Sequence, residues 1–400
     1  MIGINFDDWE QRKLGELAEI VRGASPRPIQ NPKWFDSNSD IGWLRISDVT
    51  KQNGRIYNLE QKISKAGEEK TRVLTESHLL LSIAATVGKP VINYVKSGVH
   101  DGFLIFINPS FNKEFMFQWL EMFRPKWQKY GQPGSQVNLN SELVKNQDIL
   151  LPIIKEQTKI GIFFKQLDDT IALHQRKLEK LKQLKKGYLQ LMFPQKDEKT
   201  PKLRFANFSL AWKKRKLGGI APLRGGFAFQ SKKFVKKGIP IIRISNILSN
   251  ETVGGDYAFY QEQENDGNFL LPDKAAILAM SGATTGKVSI LVNPYNQKIY
   301  QNQRVGYFRK TEIIDYTFIS TIVKSQLFTN QLKSVLVAGA QPNISSKEID
   351  SFEFFIPLQK EEQIKLGAFF KKIDNAINLH QKKVSTLQDI KKSYLQKIFV

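Results

Sequence analysis

The sequence predicts an α+β protein in which two tandem globular domains of mixed α/β character are each followed by a long helix. Three observations carry this prediction. A stretch of 38 residues occurs twice, its apolar residues have the spacing of a helical seam, and the other segments are rich in Ile, Val and Phe. The two helices are expected to pair as an antiparallel coiled coil, which gives the chain a pseudo-twofold internal repeat.

The repeated stretch runs from Glu156 to Phe193 and again from Glu362 to Phe399. The copies align without a gap, 206 residues apart, and about half of their residues are identical, more than unrelated helices show. Shorter segments recur in the same order: WEQRKLGELA and WKKRKLGGIA, LRISDV and IRISNI, AATVGK and GATTGK, QVNL and QPNI. We therefore interpret the whole chain as a duplication whose halves share a scaffold and differ between the shared segments.

Apolar residues in each long copy recur at alternating steps of four and three, the pattern of a coiled coil. Each helix would be about 57 Å long at ~1.5 Å per residue, too long for an ordinary core helix. The predicted seam consists of Ile160, Phe164, Leu167, Ile171, His174, Leu178 and Leu181 in the first helix and Leu366, Phe370, Ile373, Ile377, His380, Val384 and Leu387 in the second. The two histidines have two open interpretations, a polar contact that fixes register or responds to pH, and a partly exposed ring bonded to a carbonyl or water.

Boundaries follow from the duplication and from proline positions. PQKDEKTPK, mostly charged with a proline near each end, is typical of a surface linker, and Pro152 and Pro357 stand just ahead of the long helices, where proline is tolerated. The sequence thus predicts a globular domain at 1–152, a helical region at 153–195, a linker at 196–206, a second globular domain at 207–356 and a second helical region at 357–400.

Composition limits the class of protein. The absence of cysteine excludes disulfides, thiolate zinc sites and cysteine nucleophiles, and fits a reducing cytoplasm. No apolar run approaches the ~18 residues of a membrane span, and the N-terminus has no signal-like apolar core, so a cytoplasmic protein is expected. A net charge of +22 indicates a polyanionic partner, first of all nucleic acid, although part of the excess forms a solvated helical face.

The segments that come nearest to catalytic motifs each lack a required residue. Three residues, one fewer than a phosphate-binding loop needs, separate Gly282 from Gly286, and Lys287 is not followed by Ser or Thr. NPY at Asn293–Tyr295 lacks the second proline and the cofactor motif of an amino-methyltransferase, and the four histidines have no metal-ligand spacing. The sequence therefore predicts no catalytic residue and no metal site, and a tight strand-to-strand turn at each of the two glycine-lysine segments.

Long polar side chains at the turns of both halves are the candidates for DNA contacts. Arginine suits guanine and asparagine or glutamine suits adenine in the major groove, while lysine suits phosphate. The candidates are Arg22, Arg27, Arg45, Lys89, Gln136 and Asn138 in the first half and Arg224, Arg243, Lys287, Gln341 and Asn343 in the second. Any one of them taken alone is better explained as a loop residue in water or a structural turn contact, so the hypothesis depends on their recurrence at matching positions.

The order of these motifs resembles a known family. Each half contains, in the same order, Trp-x4-Leu-Gly, a variable region, Gly-Ala-Thr-x-Gly-Lys, Gln-x-Asn-Leu, Pro, Glu-Gln-x-x-Ile and a long helix. This twofold series resembles the specificity (S) subunit of type I restriction–modification systems. The first copy departs at Ala84 and the second at Pro342. The resemblance covers essentially the whole chain.

The resemblance implies two target-recognition domains that each read half of a bipartite double-stranded DNA sequence. It also implies two conserved helical regions that dock two methyltransferase (M) subunits, with restriction (R) subunits joining the larger complex. S-adenosylmethionine and the methylating site belong to M in this family, so no cofactor is expected in this chain. A coiled-coil adaptor with incidental basic charge and a stand-alone DNA-modifying enzyme are the alternatives, and an S-like subunit that has lost its partners is a variant of the first interpretation.

Overall fold

The computed structural model describes residues 9–127, 139–195, 198–248, 252–336 and 343–399. The chain forms two compact units: unit 1 comprises 1–176 and 381–400, and unit 2 comprises 177–380. The division falls within both long helices. Each unit therefore contains one globular half, a segment of the helix that follows it and a segment of the other long helix.

The described residues of unit 1 form three sheets. A five-stranded sheet has the order β2–β9–β6–β7–β4, a three-stranded sheet has the order β3–β8–β5, and β1 pairs with β10. The strands are β1 (Glu10–Lys13), β2 (Glu19–Arg22), β3 (Gly42–Leu44), β4 (Arg55–Ile56), β5 (Arg72–Leu74), β6 (Leu79–Ser82), β7 (Pro90–Asn93), β8 (Ser97–Val99), β9 (Phe103–Ile107) and β10 (Asp148–Leu151). Most pairs are antiparallel, but β3 lies parallel to β8, and β4 to β7.

The core of unit 1 forms between the five-stranded sheet and an aromatic helix. The helices are α1 (Leu14–Leu17), α2 (Ile46–Lys51), α3 (Lys65–Glu68), α4 (Lys113–Trp127), α5 (Ser141–Lys145) and the long α6 (Ile154–Met192). Asn112 caps α4 by accepting the backbone N–H groups of Glu114 and Phe115 at 3.0 and 3.1 Å. Trp119 stacks on Phe123 with ring centroids 4.7 Å apart, and both are buried against apolar strand residues.

Unit 2 repeats this plan with changes at its edges. The order β12–β18–β15–β16 corresponds to β2–β9–β6–β7, while the smaller sheet has the order β14–β13–β17, and β11 pairs with β19. The strands are β11 (Lys213–Lys216), β12 (Leu223–Gly225), β13 (Ile239–Ile242), β14 (Ala258–Tyr260), β15 (Ala276–Ala279), β16 (Val288–Ile290), β17 (Tyr300–Gln301), β18 (Val305–Phe308) and β19 (Glu353–Ile356), and the helices are α7 (Tyr316–Val323), α8 (Gln326–Leu336), α9 (Ser346–Asp350) and α10 (Lys360–Ile398).

A buried glutamine fastens the start of each long helix to its globular half. Gln157 donates to the carbonyl of Pro152 at 2.7 Å and accepts the backbone N–H of Asn112 at 2.9 Å. Gln363 donates to Pro357 at 2.9 Å and accepts from Asp315 at 2.8 Å. These bonds explain why the Glu-Gln-x-x-Ile segment recurs: its glutamine satisfies two buried backbone groups at the same place in each half.

The two long helices pair antiparallel within each unit. In unit 1, Phe163 of α6 meets Tyr394 of α10 with ring centroids 5.3 Å apart, and Asp168 binds Lys391 at 2.5 Å. Residue numbers rise along α6 as they fall along α10, which defines the antiparallel direction.

Unit 2 contains the equivalent contacts, displaced by 206 residues. Tyr188 meets Phe369 with ring centroids 5.0 Å apart, and Lys185 binds Asp374 at 2.6 Å. The predicted fold class, two mixed domains followed by helices that form an antiparallel pair, is confirmed. The predicted domain limits stay a prediction.

The predicted seam residues fall into two groups by exposure. Ile160, Phe164, Ile171, Leu366, Phe370 and Ile373 are buried, and Leu167, His174, Leu178, Leu181, Ile377, His380, Val384 and Leu387 are half-buried. His174 and His380 each interact with other residues, and for each histidine both interpretations stay open. Burial is complete where a helix packs into the core of a globular half, as Ile160 and Phe164 do in unit 1 and Leu366 and Phe370 do in unit 2.

Candidate nucleic-acid interface

The two glycine-lysine segments form the tight turns that were predicted. They join the antiparallel pairs β6–β7 and β15–β16, and Gly88 and Gly286 both adopt positive φ. Lys89 donates to Glu121 at 2.8 Å and to Asn53 at 3.1 Å, and only 13% of its side chain is exposed. Lys287 is half-buried and has no acidic partner in the described part of the chain. Lys89 therefore ties its turn to α4, and Lys287 is the lysine left available for a phosphate.

Arg22 and Arg27 converge on Asp101 at one surface of unit 1. The Arg22 Nε donates to the Asp101 carbonyl oxygen at 2.7 Å, and Arg27 donates to the Asp101 carboxylate at 2.7 Å. Burial alone would raise the pKa of Asp101, but the Ser25 hydroxyl, His100 and the two arginines hold this pKa below its ordinary value. The side chain of Arg27 remains 74% exposed. The backbone carbonyl of Asp101 thus orients the Arg22 guanidinium, and its carboxylate orients that of Arg27.

Arg45 and Arg243 occupy equivalent places. Each follows a strand of a parallel pair, and the backbone N–H of each donates at 3.0 Å to a side chain three residues later, Asp48 or Asn246. The Arg45 guanidinium binds Asp48 at 3.2 Å, and that of Arg243 donates to the carbonyl oxygen of Asp256 at 3.1 Å. Both positions agree with the recurrence assumed from the sequence.

Arg45 lines an open groove of about 600 Å³ in unit 1. Its polar lining comprises Arg45, Gln30, Ser47, Gln61 and His100, and its apolar lining comprises Ile29, Pro32, Phe35, Trp43 and Ile46. Guanidinium and amide groups are among those that pair with base edges in the major groove, where apolar surface can contact the thymine methyl group.

Arg224 is not the structural match of Arg22, contrary to the assumed recurrence. A Cβ on Gly23 or on Gly226 would lie 2.3 or 2.1 Å from a neighbouring carbonyl oxygen, which identifies these two glycines as equivalent. Gly225 then corresponds to Arg22. Because alternate strand residues point to opposite faces, Arg224 instead packs over Tyr307, 5.1 Å from its ring, and burial lowers the pKa of its guanidinium.

The Gln-x-Asn segments are only partly described. Gln136, Asn138 and Gln341 lie outside the described residues. Asn343 is exposed, its backbone bridges to Ser281, and the next residue, Ile344, donates to the Met280 carbonyl at 2.9 Å. The structure therefore places this segment of unit 2 against the turn that carries Lys287.

The sequence argument missed the turns that follow β8 and β17. His100 and Asp101 lie after β8, and Asn302 and Gln303 lie after β17. The sequence signal for these turns is a short polar segment, which precedes GFLIFI in the first half and RVGYFR in the second.

The described ranges also limit two other classes of site. No helix in these ranges is long and apolar enough to cross a membrane. Within the same residues, no three or more His, Asp or Glu side chains gather as a bound metal ion would require.

Comparison with known proteins places these observations in a family. Residues 6–183 and 210–389 match the family described as the type I restriction modification DNA specificity domain. The type I restriction enzyme MjaVIII specificity subunit of Methanocaldococcus jannaschii is 21% identical over 401 aligned positions, covering 97% of this chain and 91% of that protein. The EcoprrI specificity subunit of Escherichia coli is 31% identical over 77 residues, 19% of this chain and 18% of that protein.

A solved structure shares the fold. The crystal structure of the type I restriction–modification S subunit from M. genitalium superposes with a TM-score of 0.68 at 14% identity, covering 100% of this chain and 97% of that one. The family match spans both halves of the chain and repeats with the internal duplication. The chain therefore belongs to the type I restriction–modification DNA specificity family.

Proposed function

We propose that this chain is the DNA sequence-recognition subunit of a type I restriction–modification complex, in which each globular half binds one part of a bipartite, asymmetric double-stranded target. The observation that carries the proposal is the recurrence of Arg45 and Arg243 at the end of a parallel strand in both units. Membership of the specificity family and a net charge of +22 support the same ligand.

We infer that the long helices dock two methyltransferase subunits. Leu173 and Leu379 are 46% and 53% exposed, and Leu184 and Ile390 are 47% and 39% exposed. Each pair occupies equivalent positions, 206 residues apart. Large aliphatic side chains left exposed on a long helix favour protein contacts, and their occurrence in two equivalent sets favours two docking places. Restriction subunits would join the same assembly.

The chain itself is proposed to be non-catalytic. Its sequence lacks a complete nucleotide-binding or methyltransferase motif. S-adenosylmethionine is expected on the methyltransferase subunit, and the proposed compartment is the cytoplasm, where the DNA is. The stand-alone enzyme is tested by adding radiolabelled S-adenosylmethionine and DNA to the pure chain. Transfer of label to DNA would replace the present proposal with an enzymatic one.

The decisive experiment compares genome-wide adenine methylation in the source strain with that in a strain lacking only this chain. We expect one gapped, asymmetric motif to lose its methylation and to regain it when the chain is restored. An unchanged pattern, together with DNA binding that lacks sequence preference, would favour the coiled-coil adaptor. Co-purification of the tagged chain then identifies the proteins that the helices bind.

A further inference from the structure

The parallel strand pairs place a second side chain beside each recurring arginine. β3 and β8 run in the same direction, with Leu44 opposite Val99, so the residues that follow them, Arg45 and His100, emerge at the same edge. Both line the groove of unit 1. In unit 2, β13 and β17 also run parallel, with Ile242 opposite Gln301, and Asn302 follows as the partner of Arg243. Side chains at the carboxyl ends of neighbouring parallel strands are well placed to bind a common ligand.

Two backbone bonds show that His100 and Asn302 are equivalent. The backbone N–H of His100 donates to the carbonyl of Leu44 at 3.3 Å, and that of Asn302 donates to Ile242 at 3.1 Å. The carbonyls of His100 and Asn302 then accept the N–H groups of Phe103 and Val305 at 3.2 and 2.9 Å. The same turn is therefore built in both units around different side chains.

The side chains also perform the same structural task. The His100 Nδ1 accepts the backbone N–H of Gly102 at 2.9 Å, and the Asn302 Oδ1 accepts that of Arg304 at 3.5 Å. When Nδ1 accepts from Gly102, the neutral ring carries its proton on Nε2; in the charged ring Nδ1–H faces the Asp101 carboxylate 3.1 Å away, and Nε2 again carries a proton. Burial, together with Arg27 and Arg22, lowers the pKa of His100 against the opposing effect of Asp101, which favours this neutral form.

A rigid donor results at the groove. The His100 ring packs against buried Trp43 with ring centroids 5.9 Å apart, and its Nε2–H has no acceptor among the described residues. The major groove presents acceptors to such a donor: the N7 of either purine, the O6 of guanine and the O4 of thymine. An Asn at the same place offers an amide N–H₂ group in a different position.

We propose that His100 and Asn302 are specificity-determining residues, each contacting one base edge in its own half-site beside Arg45 and Arg243. This inference rests on the proposed function and names residues that carry it. The shared turn holds the side chain in place, and the identity of the side chain selects the base. Neither residue was among the sequence-derived candidates.

The test exchanges the two side chains. His100→Asn retains an acceptor for the Gly102 N–H, as Asn302 does in unit 2, and removes the Nε2–H donor; Asn302→His is the reciprocal change. His78→Asn is the matched control, since His78 is a half-buried histidine of unit 1 that lies outside the groove. Each chain is expressed in the strain that lacks the wild-type chain, and adenine methylation is mapped across the genome. Thermal unfolding confirms that each variant is folded.

We expect His100→Asn to relax or change the base preference at one position of one half-site by about fivefold to tenfold, the lower end of the discrimination that a bidentate base contact supplies, because His100 offers a single donor. Asn302→His should act on the other half-site, and His78→Asn on neither. An unchanged motif for folded His100→Asn and Asn302→His, or an equal effect on both half-sites, would overturn the inference. If the wild-type chain itself restored no motif, the proposed function would fail first.

Discussion

Replacing Asp168 with Asn is expected to destabilise unit 1 more than any equivalent change in unit 2. The Asp168 carboxylate accepts hydrogen bonds from Lys391 of α10 at 2.5 Å, from Gln118 of α4 at 2.7 Å and from Arg55 at 3.2 Å. One carboxylate thus joins the helix pair to the globular half. In Asp168→Asn, Arg55 keeps Glu114 as a partner, but Lys391 loses its only acidic partner within the described residues.

The magnitude follows from burial. The side chains of Asp168 and Lys391 are 13% and 15% exposed. Removing one partner of a buried ion pair costs about 3–5 kcal/mol, and the remaining exposure places this site near the lower figure. The equivalent Asp374 is 23% exposed and binds Lys185 at 2.6 Å and Lys324 at 3.2 Å, so Asp374→Asn should cost less, ~1–3 kcal/mol.

Urea unfolding followed by tryptophan fluorescence suits this comparison, because five of the six tryptophans belong to unit 1 and only Trp212 belongs to unit 2. Circular dichroism reports both units. The double variant Asp168→Asn/Lys391→Met removes the uncompensated ammonium and should be more stable than Asp168→Asn alone. The reasoning would be refuted if the midpoint of the fluorescence transition fell less in Asp168→Asn than in Asp374→Asn. It would also be refuted if the double variant were no more stable than Asp168→Asn.

The pH dependence provides a second check on the same site. Burial would raise the pKa of Asp168, but Lys391, Gln118 and Arg55 hold this pKa below its ordinary value. A carboxylate with a lowered folded-state pKa contributes its full stabilisation above the ordinary value near ~3.9 and loses it as pH falls through the folded-state value. The stability difference between wild type and Asp168→Asn should therefore be constant near neutral pH and shrink below about pH 4.

Four further outcomes are expected. Ala85 has a φ of 55° and Gly282 has a φ of 79° within the corresponding turns of the two units, so Ala85→Gly should stabilise the fold by ~1 kcal/mol in urea unfolding and Gly282→Ala should destabilise it similarly. Arg22→Ala should lower the salt dependence of DNA binding, measured by fluorescence anisotropy, by about one phosphate contact, whereas Arg12→Ala, whose arginine pairs with Glu16, should not. Inserting about four residues between His174 and Lys182, about 6 Å of helix, should change the gap of the methylated motif while both half-sites stay unaltered; an unchanged gap would contradict the idea that helix length sets it. Exchanging residues 20–135 for those of a relative should alter one half-site only, and a change in both would argue against independent domains.

The helices and their pairing could be predicted from sequence because their signals are local and repeated. A spacing of four and three residues reveals the seam, and a gapless repeat reveals that two helices share it. The network around Asp168 could not be predicted in this way. Arg55 lies 113 residues before Asp168 in the chain, and Gln118 lies 50 residues before it, so no periodicity relates them.

The candidate DNA contacts were harder to place for a different reason. Arg22 and Arg224 appear equivalent by composition, but a shift of one residue in a strand reverses the face of a side chain. Lys89 and Lys287 are equivalent in backbone, yet among the residues that the structure describes only Lys89 meets an acidic residue, Glu121, on a neighbouring helix. Sequence motifs therefore located the turns correctly, but they could not show which side chains at these turns form contacts within the protein.

The duplication separates residues that build the scaffold from residues proposed to read DNA. Positions that hold the scaffold keep their identity in both halves, as Gln157 and Gln363 do at the helix starts and Asp168 and Asp374 do in the helix pair. The turn after the parallel strand keeps its backbone bonds but changes its side chain from His100 to Asn302. Because both side chains satisfy the same turn, a change of recognised base at this position requires no change in the fold.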